Sequence, residues 1–185
     1  VILQMHALGL GEVGRFPFLD PPEERQINDG IRLLEELGAL EGKRLTAVGR
    51  QLSRLPVDPR IGRMLLAAAG LGALAEMLVV ASFLSVQDPR ERPVEKQQAA
   101  DESHRRFACA TSDFVSVLQL WAHVEEKRQA LSASPWRRLC QREFLSFMRL
   151  REWRDIHYQL RLISRELGLH ENHEPASEET LHRAV

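Results

Sequence analysis

The stretch Gly9-Leu10-Gly11-Glu12-Val13-Gly14-Arg15-Phe16-Pro17-Phe18-Leu19-Asp20-Pro21-Pro22 decides between two classes of fold. Its first six residues have the spacing G-x-G-x-x-G, which in a dinucleotide-binding sheet joins a strand to a helix whose first amides face a pyrophosphate. A helix opened by Gly14 would run into Pro17, Pro21 and Pro22, which lack backbone donors and push each preceding residue out of the helical region. Upstream, "VILQMHAL" puts Ile2, Met5 and Leu8 at three-residue spacing, which is helical rather than alternating. Asp29 or Glu35, where a ribose-binding carboxylate would fall, lies inside a further helical pattern. The glycines are therefore expected to end one helix and turn the chain toward the next, with no cofactor bound.

Working outward, helix signals recur and strand signals are scarce. Asp20-Pro21-Pro22 offers a capping carboxylate and then proline, and the apolar series Ile27, Ile31, Leu34, Leu37 follows, closed by Gly38. Ala39-Leu40 and Arg44-Leu45 suit two short strands around a turn at Glu41-Gly42-Lys43. Thr46 caps a helix through Val48, Leu52 and Leu55, stopped by Pro56. Helix, helix, hairpin, helix is the inventory of a small winged-helix unit. Asp58-Pro59 starts a helix carrying Ile61, Met64, Leu65, Ala68 and Leu71, and a second apolar helix from Leu74 to Leu84 pairs with it as a helical hairpin. After a polar loop at 85–93, helices are expected over 97–107, from a Ser112 cap through Val124, from Ser134-Pro135 through Phe144, and from Ser146 to Leu167 with Gly168 as the stop. The fold class is all-α with one hairpin. Residues 1–56 form the winged-helix unit, 57–168 a helical bundle, and 169–185 a polar linker in which Thr180-Leu181 starts a helix that the end of the chain cuts short. The absence of an initial Met and the start in mid-pattern suggest a piece of a longer protein.

With 185 residues and 44% hydrophobic content there is ample material for a core. The net charge of -1 hides a skew: of 25 basic residues only Lys43, Lys96 and Lys127 are lysine. Arginine forks phosphates and stacks on bases, and a GC-rich genome produces the same bias. Cys109 and Cys140 have no metal-ligand spacing and read as buried free thiols in a reducing, cytoplasmic compartment. No apolar run is long enough for a membrane span.

Catalytic chemistry finds no foothold. "EGKRL" around Lys43 lacks the upstream glycine and the hydroxyl of a P-loop, so the chain has no ATPase motif of its own. His170 and His173 have a spacing that a metal can use, but the segment lacks a third ligand, and no metal is expected. No serine sits in a nucleophile elbow.

The basic residues carry the functional signal. At 100° per residue, Leu150, Trp153, Ile156, Leu160, Ile163 and Leu167 cluster on one side of the last long helix. Arg151, Arg154, Tyr158, Arg161 and Arg165 line the other. An arginine stripe with an interleaved tyrosine suits a single-stranded nucleic-acid backbone; it equally suits a solvated helix face. Arg149 points to the Trp153 side, toward a buried partner or into a cleft. His104-Arg105-Arg106-Phe107 forms a second basic cluster. The proline-stiffened loop Gln87-Asp88-Pro89-Arg90-Glu91-Arg92-Pro93 offers Arg90 and Arg92 for docking, or acts as a clip between helices.

Several stretches together, "FPFLDPPEERQINDGIRLLEELGAL", "RLTAVGRQLSRLPVDPRIGRMLLAA", "FLSVQDPRERP", "HRRFACATSDFVSVLQLW" and "LCQREFLSFMRLREWRDIHYQL", resemble the region that follows the motor domains of DEAH-box RNA helicases. "QDPRERP" and "RLREWRDIHYQL" resemble its bacterial HrpA-type branch. The resemblance implies a winged-helix domain followed by a ratchet-like helicase-associated domain, forming one wall of a channel for single-stranded RNA. ATP and Mg would then belong to the motor domains of the parent, and the partners would be those domains and a C-terminal oligonucleotide-binding domain of the same parent. Eukaryotic members often carry histidine at the position of Phe114 and arginine at that of Met148, so contacts at those two positions do not carry over. A channel wall needs phosphate partners, so Arg105, Arg106, Arg149 and Arg151 are expected to face the strand, with Arg154, Tyr158 and Arg161 extending the surface.

Two other readings stand beside it. One is a docking module that uses the 87–93 loop and binds no RNA. The other is a DNA-binding winged-helix regulator, which would need a basic recognition helix. The helix of Ile27 to Leu37 instead places Arg25 and Arg32 among Glu23, Glu24, Asp29, Glu35 and Glu36.

Overall fold

The computed structural model describes all 185 residues. The fold is mostly helical, with a short antiparallel hairpin followed by a multi-helix bundle. The chain divides into two compact units, Val1–Arg63 and Met64–Val185.

In the first unit, helix α1 spans Ile2–Leu8 and α2 spans Glu24–Glu36. The inward residues of α1 are Leu3 and Met5, whereas Leu8 is exposed, so the buried face is rotated from the expected Ile2, Met5, Leu8 line. Gly9, with φ of 67°, closes α1 in the left-handed region that glycine enters without a Cβ penalty. Gly14 lies in a single 3-10 turn, Val13–Arg15, so a helix and a 3-10 turn flank the glycines where a dinucleotide site needs a strand and a helix.

Helix α2 does not start at Asp20. Asp20 and Pro21 both precede a proline, which disfavours the helical region for each, and the helix opens only at Glu23, whose N–H donates to the Gln26 side chain at 3.2 Å. Strands β1, Leu40–Glu41, and β2, Arg44–Leu45, pair with Leu40 opposite Leu45 and Glu41 opposite Arg44. Helix α3, Ala47–Leu52, is capped by Thr46, whose hydroxyl accepts the Gly49 N–H at 3.0 Å and donates to the Gly38 carbonyl at 2.6 Å. Gly49 packs directly beneath the Ala39 carbonyl, where any Cβ would collide with backbone.

Helix α4, Pro59–Leu71, opens on Asp58, whose carboxylate accepts the Arg60 N–H at 2.8 Å. The remaining helices are α5, Leu74–Leu84; α6, Gln97–Arg105; α7, Asp113–Ala130; α8, Ala133–Arg142; α9, Phe147–Glu166; and α10, Glu178–Arg183. Helix α5 is buried nearly all round, through Leu74, Met77, Leu78, Val79, Val80 and Ala81, as befits a helix apolar on every face. It packs against both α7 and α9. Trp153 of α9 is fully buried, and its indole N–H donates to the Val79 carbonyl at 3.1 Å and to the Ser82 hydroxyl at 3.0 Å. Phe83 and Trp121 meet the same indole edge-on, with centroids at 5.1 Å and 4.8 Å.

Three local readings need correction. Helix α8 is flanked by Ser132, and Pro135 sits within the first turn, where a missing amide breaks no intrahelical bond. Phe144 lies outside α8, in the left-handed region at φ of 55°. The surroundings hold it there: Glu91 N–H donates to its carbonyl at 2.8 Å, and Ser146 N–H donates to the Pro89 carbonyl at 2.7 Å. The 85–93 loop and the α8–α9 corner thus form a short antiparallel bridge, Arg90 opposite Leu145. Cys140 is a buried thiol that burial pushes up to about 12, but Cys109 is only partly buried.

Residues 169–185, expected as a polar linker, lie against the bundle. The Asn172 side-chain oxygen accepts the Ala75 N–H at 2.9 Å, satisfying an amide at the start of α5. The Glu76 carboxylate accepts from the Asn172 amide at 2.9 Å and from the Ala176 N–H at 3.0 Å, and Leu181 and Ala184 are buried.

Trp153→Phe removes the indole donor from two buried acceptors and leaves a void. We expect a loss of about 1–3 kcal/mol in urea unfolding. Unchanged stability would show that the indole bonds contribute nothing net.

Candidate nucleic-acid interface

Helix α9 organises the basic residues because its apolar side is fixed by Trp153, which leaves the arginines on the flanks and outer face. The structure separates them into groups that the sequence ran together. Arg151 stands exposed, with Asp155 only at 4.0 Å. Arg154 reaches α7, where its Nε donates to Glu125 at 2.7 Å, and Arg128 bonds the same carboxylate at 3.1 Å. Arg161 and Arg165 converge on Glu171 at 2.7 Å and 3.2 Å. Tyr158 is 62% exposed.

Arg149 does point inward. Its Nη1 donates to the Asp88 carbonyl at 3.1 Å, tying α9 to the 85–93 loop. In that loop Arg90 pairs with Asp88 at 2.7 Å, and Arg92 pairs with Asp101 of α6 at 2.7 Å. Arg105 pairs with Glu102 one turn back at 2.8 Å. Arg106 lies over the ring of buried Phe107 at 4.5 Å and bonds Glu143 at 2.7 Å.

What the fold adds is a groove of about 460 Å³ where the end of α7, the start of α8 and the start of α9 meet. Arg128, Arg137, Arg151 and Arg154 line it over Trp136 and Phe147, with Asp155 as the acidic member. Arg137 lies over the Phe147 ring at 4.8 Å. Sequence reading singled out Arg151 and Arg154 but missed Arg128 and Arg137, which reach the groove from other helices and share no periodicity with α9. Arg105, Arg106, Arg149 and Arg161 are not among its lining residues. Chemically the groove offers guanidinium donors above an apolar aromatic floor, a combination suited to phosphates and planar rings.

The family models match along the same elements. Residues 30–57 match the helicase-associated domain (HA2), winged-helix, and residues 58–146 match the helicase-associated domain (HA2), ratchet-like. The chain belongs to the HA2 helicase-associated family. It is 52% identical over 193 residues to the ATP-dependent RNA helicase HrpA homolog of Haemophilus influenzae, covering all of this chain and 15% of that protein. It is 51% identical over 191 residues to the ATP-dependent RNA helicase HrpA of Escherichia coli, again covering all of this chain and 15% of the relative. A plant relative, the pre-mRNA-splicing factor ATP-dependent RNA helicase DEAH10 of Arabidopsis thaliana, is 32% identical over 178 residues, covering 91% of this chain and 25% of its own length. The chain thus spans a small part of each relative.

In the HA2 bundle the carboxylates that hold the arginines are tuned by them. Burial raises the Glu143 carboxyl, but bonds from Arg106 and from His123 at 2.8 Å outweigh it and hold the group below its ordinary value. Glu171 follows the same logic, with burial opposed by Arg161 and Arg165. His157, packed against Trp121, is held below 6.5 by burial and then by Arg161.

Because the folded pKa of Glu143 lies below its ordinary 4.5, its stabilising contribution is complete above that value and is lost as pH falls through the folded pKa. Glu143→Gln should therefore cost about 1–2 kcal/mol at pH 7, less than for a fully buried pair because the Arg106 partner is exposed. The difference from wild type should shrink in chemical-denaturation curves as pH drops below 4.5. A difference that stays constant from pH 7 into that range would show that the carboxylate charge is not what binds this corner together.

Proposed function

We propose that this chain is a non-catalytic accessory module of an ATP-dependent DEAH-box RNA helicase, forming part of the wall of its single-stranded RNA channel. There it couples the movement of the motor domains to translocation of the strand. The observation that carries this is the groove at α7, α8 and α9, where four guanidiniums surround an aromatic floor. Two of the four, Arg128 and Arg154, share Glu125, and Arg151 has only a distant partner, so positive charge remains for phosphates. The RNA helicases among the relatives support the class of nucleic acid. ATP would act in motor domains outside these residues, since no P-loop occurs in the sequence.

A docking role through the 87–93 loop gains less support, because Arg90 and Arg92 both bond within the chain.

The test is binding of a single-stranded RNA as a function of KCl concentration. Arg137→Ala/Arg151→Ala should weaken binding and flatten the log–log slope by roughly 0.7 for each phosphate that the variant no longer neutralises. In a full-length helicase carrying this chain, the same pair should lower unwinding per ATP hydrolysed. Affinity and slope equal to wild type would remove the groove from the RNA path.

A further inference from the structure

Within the groove the four arginines are not equivalent. Arg128 and Arg154 are locked to Glu125 and act as a brace between α7 and α9. Arg151 projects from the outer face of α9. Arg137 differs from all three: it is exposed, it makes no ion pair, and it lies over the Phe147 ring. A guanidinium positioned by an aromatic ring on one side keeps donors and a flat face for something else. Beneath it, Trp136 and Leu150 are buried, so the floor is apolar and already formed. At about 460 Å³ the groove falls within the roughly 300–1,000 Å³ range of small-ligand sites, large enough for a unit with both a ring and a charged group.

We propose that Arg137 is a stacking platform for one nucleobase of a single-stranded RNA whose adjoining phosphate meets Arg151. This rests on the reading of the groove as an RNA surface and adds to it a base-holding position. Charge alone would let a strand slide over the groove; a stacked base provides one holding point per step without reading sequence, since every base has a π face. An acidic peptide would satisfy the guanidiniums but leave the exposed face over Phe147 unused, and for that reason RNA is the favoured occupant.

The experiment compares the chain's affinity for a ten-nucleotide single-stranded RNA with that for the same strand made abasic, each at several KCl concentrations. Wild type should favour the base-bearing strand by on the order of tenfold. Arg137→Lys keeps the charge and loses the planar group, so it should abolish this preference while the salt slope stays unchanged. Arg137→Ala should lose the preference and flatten the slope. Because Arg137 is exposed and unpaired, both variants should melt like wild type, which a thermal scan checks. Equal binding of the two RNAs by wild type, or a preference that survives in Arg137→Lys, overturns the platform while leaving the channel-wall reading intact. An acidic decapeptide that displaces the RNA at equal affinity also overturns it, in favour of a protein occupant. No salt-dependent binding of either strand overturns the channel-wall reading together with the platform.

Discussion

The indole of Trp153 is the contact on which the bundle depends. A fully buried ring with a polar edge must find an acceptor, and here it finds two on α5, the Val79 carbonyl and the Ser82 hydroxyl. Those bonds fix the rotation of α9 about its own axis as well as its distance from α5. Once the rotation is fixed, Leu150 and Leu160 are buried, Arg149 is turned toward the 85–93 loop, and Arg151 and Tyr158 are turned outward. The surface chemistry of the longest helix is thus a consequence of one core hydrogen-bond pair.

A second constraint is charge pairing between helices. Glu125, Glu143 and Glu171 each collect two basic groups: Arg128 and Arg154, Arg106 and His123, Arg161 and Arg165. Such partly buried carboxylates serve less as sources of net stability than as fasteners that set where each guanidinium stands. The result is a division of labour among arginines that look alike in sequence. Most brace the bundle, and a few at the groove keep unused donors.

Much of the local structure was legible because it is governed by neighbours in the chain. Thr46, Asp58 and Ser112 cap the helices that their positions suggested, and Gly9, Gly38, Gly72 and Gly168 all adopt the positive φ expected of helix stops. Where local signals compete, reading by rule fails. Asp20 looks like a cap, yet the two following prolines disfavour the helical region at Asp20 and Pro21, and the cap passes to Glu23. Phe144 continues an apolar helical pattern, yet backbone bonds from the 85–93 loop claim its carbonyl and the residue after next. The segment 169–185 reads as solvated linker because its polarity is evident and its anchors, Glu76 and Ala75, lie about a hundred positions away.

The sequence by itself determined the all-helical class, the hairpin and most helix limits, since these follow from local capping and periodicity, and five collinear stretches carried the resemblance to the helicase-associated family. Only the tertiary structure decided which arginines are available to a partner. Availability depends on whether a carboxylate from another helix stands within bonding distance, as Glu125 does for Arg154 and none does for Arg137. Periodicity places a side chain on a face, but only packing supplies what that face meets.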